Sequence, residues 1–172
     1  MKYDGTNWLN IGGYIFSGNV NQMSIAITKT DTPYVAYINT TGTLTVKKYN
    51  GTDWAIVDDS ISGHIVDPLI ALDKADIPYI GYTNTNYDSV YVEKLEQAHW
   101  HQLKPISKSR YTLSSLIIDN TNRPIISYSS RLSSLTQSNN SFSVRRYNDS
   151  IWEYIGPVSI TTGDAITPCL SI

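Results

Sequence analysis

Two short motifs recur along the chain at nearly the same interval, and this repeat constrains the fold more than any other sequence feature. A Pro-x-x-x-Tyr motif begins at Pro33, Pro78 and Pro124, at intervals of 45 and 46 residues. Independently, an aromatic or leucine residue stands five positions before each of four tryptophans, which lie 46, 46 and 52 residues apart: Trp8, Trp54, Trp100 and Trp152. Because two motifs share one period, we interpret the chain as a series of similar structural units.

Each unit contains four short runs rich in Val, Ile, Tyr and Thr, a composition typical of β-strands. In the first complete unit these runs are Met23 to Thr28, Pro33 to Ile38, Thr43 to Tyr49 and Trp54 to Val57. Asn50-Gly51 indicates a tight hairpin, because both residue types tolerate positive φ. The sequence shows no long amphipathic helical pattern. Four antiparallel strands in about 46 residues match the length of one β-propeller blade.

The repeat predicts an all-β fold, a β-propeller made of four-stranded antiparallel blades, with three complete blades plus a split partial blade. We expect a single repeat domain over residues 1–172. Its expected segments are 1–12 (last strand or strands of the split blade), 20–58, 66–104 and 111–157 (three blades), and 164–172 (first strand of the next blade).

The consensus is Trp-x-x-(Ile/Val)-Gly, an apolar strand, Asp-x-x-x-x-Pro-(Tyr/Ile)-(Val/Ile)-x-Tyr and then Lys-Tyr-(Asn/Asp)-Gly-Thr-x-Trp. It resembles the repeats of bacterial β-propellers related in architecture to kelch and sialidase propellers. The resemblance implies a place among lectins, adhesins, scaffolds and glycan-active enzymes, and an extracellular or cell-envelope location, although the chain shows no signal peptide. The run Tyr49 to Trp54 lacks the Ser and the Asp-x-Gly spacing of the sialidase Asp-box, so a sialidase is not supported.

The repeat register places both ends of the chain inside a blade. Aligning Ile172 with Ile70 and Met1 with Glu93 predicts that the split blade lacks the equivalents of residues 71–92, which is 22 residues. Closure of a propeller covers exposed sheet edges. Three arrangements stay open: a fragment of a longer protein, a ring of subunits that self-associate through open blade faces, or a monomeric four-bladed ring with a defective blade.

Composition excludes several classes of function. The chain has 13 Lys+Arg and 15 Asp+Glu, a formal net charge of -2, so it lacks the basic surface that a nucleic-acid partner requires. No apolar run approaches a membrane span of about 18 residues. Its single cysteine, Cys169, can form neither an internal disulfide nor a thiol-rich metal site. We expect no cofactor, and we expect a glycan or a protein as the partner.

Seven aromatic residues recur in register with the blades. An exposed aromatic ring can stack on a sugar, but this periodicity favours packing of one sheet on the next. The residues expected to do so are Trp8, Trp54, Trp100, Trp152, Tyr37, Tyr82 and Tyr128.

Residues able to carry chemistry are sparse. His99 and His101 fall on one side of a predicted strand, as metal ligands can, but further ligands at a telling spacing are missing, so we predict no metal site. Asp73 and Asp119 fall in first hairpin turns, where bridging of the turn is the expected role and a calcium loop is the alternative. No nucleophile motif or nominated carboxylate pair appears, so we expect no catalytic residue and no enzyme.

One hairpin departs from the repeat. Tyr128 and Tyr147 are 19 residues apart, whereas Tyr82 and Leu95 are 13 apart, which indicates an insertion of about six residues within 129–140. Inserted loops in repeat proteins often map to the binding face. The candidate ligand-binding residues on this face are Lys108, Arg110, Tyr111, Arg131 and Asn139. A tolerated surface insertion is the alternative.

These features favour a non-catalytic propeller module for binding or scaffolding, which recognises a surface glycan or a protein through loops on one face. The alternative is a structural fragment of a larger secreted glycan-active propeller enzyme whose catalytic residues lie outside this chain.

Overall fold

The computed structural model describes residues 1–16, 18–20, 22–106, 111–131, 140–161 and 169–171. Within these ranges the regular elements are β-strands, and no helix is long and apolar enough to cross a membrane. The strands are β1 Lys2–Tyr3, β2 Trp8–Leu9, β3 Met23–Ile27, β4 Pro33–Ile38, β5 Thr43–Tyr49, β6 Trp54–Ser62, β7 Ile65–Leu72, β8 Pro78–Asn84, β9 Ser89–Glu96, β10 His99–Gln102, β11 Tyr111–Ile118, β12 Pro124–Arg131, β13 Asn140–Tyr147 and β14 Trp152–Tyr154.

The described strands form three four-stranded antiparallel sheets and one two-stranded sheet. We call the sheets β3–β6, β7–β10 and β11–β14 blades 1, 2 and 3, and β1 pairs with β2. In each blade the strands neighbour one another in chain order. The expected all-β architecture of four-stranded antiparallel sheets is therefore confirmed.

The two ends of each blade carry different connections. We call the edge with the first and third hairpins the turn end, and the edge with the second hairpin and the connections between blades the link end. At the turn end, Asp31, Asp76 and Asn122 have φ of 60, 60 and 62°, a left-handed conformation that Asp and Asn tolerate well. The repeat prolines follow two residues later, as the first residues of β4, β8 and β12. A proline there costs no ladder hydrogen bond that the sheet needs.

The blades pack face to face with their first strands side by side. Strand β7 contacts β3 on one side and β11 on the other. One apolar cluster joins blades 1 and 2 and includes the buried residues Leu44, Val46 and Ile80. A second cluster joins blades 2 and 3 and includes Val92 and Ile126. Apolar burial on both sides of blade 2 therefore holds the stack together.

Blades 2 and 3 approach each other closely at Gly81. A Cβ at this position would lie 2.8 Å from Leu113 Cδ2 and 3.3 Å from Leu116 Cδ2. The equivalent residues of blades 1 and 3, Ala36 and Ser127, carry a Cβ and are 0 % exposed. A Cβ here would therefore displace leucine side chains of blade 3, whereas the backbone conformation does not itself call for glycine.

A serine hydroxyl links neighbouring first strands. Ser24 Oγ accepts a hydrogen bond from Ile70 N at 3.1 Å, and Ser115 Oγ accepts one from Leu170 N at 3.2 Å. Leu170 thus lies on blade 3 where Ile70 lies on blade 1. The expected alignment of Ile172 with Ile70 is wrong by two residues. A two-residue shift preserves the in-and-out alternation of a strand, so the apolar pattern alone could not distinguish the two registers.

Several residues of the expected insertion in blade 3 belong to strands and not to a loop. Residues 129–131 belong to β12 and Asn140 begins β13, with Arg131 opposite Asn140 in the ladder. Part of the insertion therefore lengthens the hairpin, and residues 132–139 lie outside the described ranges.

Candidate functional site

Two of the five predicted ligand residues lie together at the link end of blade 3. Tyr111 begins β11 and pairs with Ser130, and the next residue of β12, Arg131, pairs with Asn140. Their backbones are therefore neighbours in the sheet. Lys108, Arg110 and Asn139 lie outside the described residues.

Two of the repeat tryptophans donate a side-chain hydrogen bond from their own blade to the chain segment that precedes that blade. Trp54 Nε1 donates a hydrogen bond to Ile11 O at 3.1 Å, and Trp152 Nε1 donates one to Lys104 O at 2.6 Å. Each acceptor follows the preceding repeat tryptophan by three or four positions, Trp8 in the first case and Trp100 in the second. The indoles of Trp54 and Trp152 thus act between units, at the outer strands.

The other two tryptophans behave differently. Trp8 is 67 % exposed, contrary to the expected sheet packing, because β1 and β2 are exposed on both faces. Its ring contacts Tyr3 at a centroid distance of 5.4 Å. Trp100 Nε1 is buried without a hydrogen-bond partner among the described residues, while its backbone N donates to Asp58 Oδ2 at 3.3 Å.

The three repeat tyrosines are buried. Tyr37, Tyr82 and Tyr128 are 5 %, 5 % and 0 % exposed, so their rings are not accessible to a sugar. Tyr82 contributes to the cluster between blades 1 and 2, and Tyr128 to the cluster between blades 2 and 3.

A buried carboxyl group lies beside one of these tyrosines. Tyr82 donates its hydroxyl hydrogen to Glu93 Oε1 at 2.5 Å, and Glu93 is 7 % exposed. Burial raises the pKa of Glu93, and the charge of Asp58 raises it further, against the opposing effects of Tyr82 and His101. Burial and Glu93 also raise the pKa of Tyr82. Both groups are therefore held toward their neutral forms.

The histidine pair gathers no metal-binding cluster. His99 Nδ1 lies 3.8 Å from Asp58 Oδ2. In the part of the chain that the structure describes, no group of three or more His, Cys, Asp or Glu side chains could hold a metal ion.

The turn carboxylates hold the backbone. Asp119 Oδ1 accepts hydrogen bonds from the backbone N of Thr121 and of Arg123 at 2.8 and 3.0 Å, and Asp119 Oδ2 pairs with the guanidinium of Arg123 at 3.1 Å. Burial acts to raise the pKa of Asp119, but the hydrogen bonds from Thr121 and Arg123 outweigh it and hold that pKa well below its usual range. Asp76 Oδ1 reaches across to blade 1 and accepts from Lys29 N at 3.2 Å.

A polar groove opens at the turn end between blades 2 and 3. Its volume is about 610 Å³, and its lining includes Asp73, Tyr79, Lys94, Arg123 and Asp149. The groove lies at the end of the blades opposite to the predicted ligand residues. Sequence reasoning missed it because its residues come from separate hairpins of two blades and form no linear motif.

The charges at the groove are partly paired. Lys94 Nζ lies 5.8 Å from the centroid of the Tyr79 ring and 2.9 Å from Glu96 Oε1. The hydrogen bond with Glu96 raises the pKa of Lys94 and lowers that of Glu96. Tyr79 itself is 4 % exposed, so the groove offers polar edges and not an open aromatic face.

Comparison with known proteins gives structural neighbours only. No protein-family model and no curated protein matches the sequence. A thermostable family-43 glycoside hydrolase matches with a TM-score of 0.58 at 14 % identity, covering 86 % of this chain and 53 % of that one. An endo-1,4-beta-xylanase from Bacteroides thetaiotaomicron VPI-5482 matches with a TM-score of 0.55 at 12 % identity, covering 90 % and 58 %.

A fucose lectin from Kordia zhangzhouensis, solved with methyl-fucoside, matches at 11 % identity over 80 % of this chain and 100 % of that one, but its TM-score of 0.48 is too low to support an argument. The chain spans between 53 % and 58 % of the length of the first two structures. At these identities the likeness concerns architecture alone. The described sheets and the family-43 glycoside hydrolase match together show an all-β fold of β-propeller type.

Proposed function

We propose that this chain is a non-catalytic β-propeller module that binds a glycan through the loops at the link end of blade 3. The observation that carries the proposal is the structural use of the acidic side chains. Asp119 holds turn amides, Asp76 joins two blades, and Glu93 is buried against Tyr82. Carboxylates committed in this way are poorly suited to act as a general acid and base.

The stack supplies a rigid support for loops. Ser24 joins the first strands of blades 1 and 2, Trp152 joins blade 3 to the segment after β10, and Trp54 joins blade 1 to the segment after β2. Function in such proteins is placed on loops held by a rigid scaffold. The adjacent backbones of Tyr111 and Arg131 support the link end of blade 3 as the place where Lys108, Arg110 and Asn139 also contribute.

A glycan is the ligand class to test first. Two solved structures that match with TM-scores above 0.5 are a family-43 glycoside hydrolase and an endo-1,4-beta-xylanase. Both are named as enzymes that act on glycans, and one fold can host binding as well as catalysis.

A glycan array with the purified full chain tests this function. We expect saturable binding to at least one glycan and a loss of about tenfold or more in affinity for the double variant Arg110→Ala/Arg131→Ala, since each arginine offers charge-assisted hydrogen bonds. The matched control is Lys2→Ala, which removes a positive charge on β1, outside blade 3 and outside the groove. Absence of binding to every glycan, or equal binding by wild type and double variant, would contradict the proposal.

One observation favours a second candidate. The two matches include 86 % and 90 % of this chain, but only 53 % and 58 % of the hydrolase structures. A structural portion of a larger glycan-active propeller would show this relationship. In that case the isolated chain would bind no glycan on the array, and a longer protein containing it would release reducing ends from polysaccharide.

A further inference from the structure

We propose a second ligand site, the groove between blades 2 and 3 at the turn end, which takes a neutral, hydroxyl-rich ligand such as the vicinal diol of a pyranose ring. This site is separate from the loops at the link end. Its volume of about 610 Å³ lies within the range of small-molecule sites.

A nearly buried carboxylate with one unused oxygen lines the groove. Asp73 is 8 % exposed, and its Oδ1 accepts hydrogen bonds from Ala75 N at 2.8 Å and from Ile77 N at 3.0 Å. Its Oδ2 accepts none from the described residues. An acceptor oxygen on a groove-lining residue that no described donor uses can accept a hydrogen bond from a ligand.

Acceptors and donors are both present at this groove. Asp149 is exposed and makes no hydrogen bond within the described ranges. Arg123 uses Nε and Nη2 on Asp119, at 3.2 and 3.1 Å, which leaves other N–H groups of its guanidinium for a ligand. Lys94 likewise keeps N–H groups beyond its contact with Glu96.

This combination selects the ligand chemistry. Each hydroxyl group of a sugar both donates and accepts a hydrogen bond, so a vicinal diol can satisfy a carboxylate and a cationic donor together. The groove carries two carboxylates, Asp73 and Asp149, and two cations, Lys94 and Arg123. Because these charges balance, the site favours a neutral ligand over a phosphate or a polyanion.

The equivalent junction between blades 1 and 2 shows which of these groups the fold does not require. A lysine lies over a tyrosine ring at both junctions, Lys48 over Tyr34 and Lys94 over Tyr79. The position of Arg123, just before the repeat proline, is occupied in blade 2 by Ile77. The position of Asp149, three residues before the repeat tryptophan, is occupied there by Gln97. Blade packing therefore proceeds without the charges that distinguish the groove.

Amide chemical shifts of the ¹⁵N-labelled full chain test the site. The probes are the methyl glycosides of glucose, mannose and xylose, titrated to about 50 mM, where a site of millimolar Kd is mostly occupied. We expect saturable shifts of the amides of Lys74, Ala75 and Ile77, which surround Asp73. The fully O-methylated glycosides, which cannot donate a hydrogen bond, should produce no such shifts.

Two variants remove the proposed acceptors. Asp73→Asn keeps Oδ1 for the turn but replaces Oδ2 with a donor, and Asp149→Asn removes the exposed carboxylate at a φ of 67° that Asn tolerates. We expect each to weaken binding about tenfold. The control is Asp88→Asn, the same change at a φ of 47° at the link end of blade 2.

Three results would overturn the site: no saturable shifts at these amides with any methyl glycoside, unchanged affinity in Asp149→Asn, or equal shifts with the O-methylated probes. If Asp73→Asn fails to fold, Asp149→Asn decides, because Asp149 is exposed. The variant Arg110→Ala/Arg131→Ala leaves the groove intact. Loss of array binding in that variant with preserved groove shifts thus separates this site from the link-end function.

Discussion

Ser115 accepts a hydrogen bond from the backbone N of Leu170 at 3.2 Å, and this contact repeats the one between Ser24 and Ile70 at 3.1 Å. The segment 169–171 therefore lies on blade 3 in the position that a first strand takes on its neighbour. The third equivalent position is Leu69, which has no hydroxyl group. The first strands can therefore pack on one another without the serine hydrogen bond, which adds to the apolar contacts.

Ser115→Ala should release Leu170 without unfolding the blades. The loss of one hydrogen bond is expected to cost about 0.5–1.5 kcal/mol locally. Amide hydrogen exchange would then be faster at Leu170, while the amides of β12 keep their wild-type protection. Unchanged exchange at Leu170 would mean that this hydrogen bond contributes nothing to the position of the segment.

Gly81→Ala and Ser127→Ala should have opposite effects at equivalent positions. A Cβ on Gly81 would overlap Leu113, so we expect destabilisation of about 1–3 kcal/mol. Ser127 Oγ is buried without a hydrogen-bond partner among the described residues, so its removal should be neutral or stabilise by about 1 kcal/mol. Urea unfolding measures both changes, and a destabilising Ser127→Ala would show that its hydroxyl has a partner.

Glu93→Gln should stabilise the protein at neutral pH. Burial raises the pKa of Glu93 in the folded state above its unfolded value. The contribution of Glu93 to stability is therefore fully present at a pH below the pKa of this carboxyl group in the unfolded protein. The contribution is lost as the pH rises through the pKa of the same group in the folded protein. As the pH is raised from 4 to 8, we expect the free energy of unfolding of the variant, relative to wild type, to increase by on the order of 1 kcal/mol.

The control for this prediction is Glu96→Gln. Its hydrogen bond with Lys94 lowers the pKa of Glu96, so the pH dependence should have the opposite sign. Urea midpoints at both pH values for the two variants give the comparison. A gain for Glu93→Gln that is the same at acidic and neutral pH would contradict a buried, ionising carboxyl group.

Trp54→Ala should cost more stability than Trp8→Ala. Trp54 is half-buried and donates to Ile11 O, so we expect a loss of roughly 2–4 kcal/mol, near the lower part of the range for tryptophan truncation. Trp8 is 67 % exposed, and its loss should cost less than about 1 kcal/mol. Thermal unfolding of both variants tests this, and equal losses would place Trp8 in a packed interface.

Sequence periodicity predicted the strands better than the contacts between them. In blade 1 the expected runs Pro33 to Ile38 and Thr43 to Tyr49 coincide with β4 and β5. Strand β6 continues to Ser62, beyond the expected end at Val57, because its irregular ladder with β5 extends as far as Thr43. Strands that pair across bulges lose the regular alternation of apolar and polar residues. The sequence beyond Val57 therefore carries no strand pattern that predicts this extension.

The candidate sites show the same limit. Tyr111 and Arg131 could be placed at one edge because hairpin topology alone brings their strands together. The groove needed the packing of blade 2 on blade 3, since Asp73 and Arg123 come from different blades and share no motif. The division of the chain into its expected repeat segments stays a prediction, as does the role of Lys108, Arg110 and Asn139.

Frontal affinity chromatography with mass detection tests the central claim, glycan binding without cleavage, in a single measurement. The full chain is immobilised, and a mixture of plant and microbial oligosaccharides is passed over it. We predict that at least one oligosaccharide is retarded in a saturable way and elutes with its mass unchanged. Elution of every oligosaccharide at the void volume, or the appearance of shorter products, would contradict the assignment as a non-catalytic glycan-binding module.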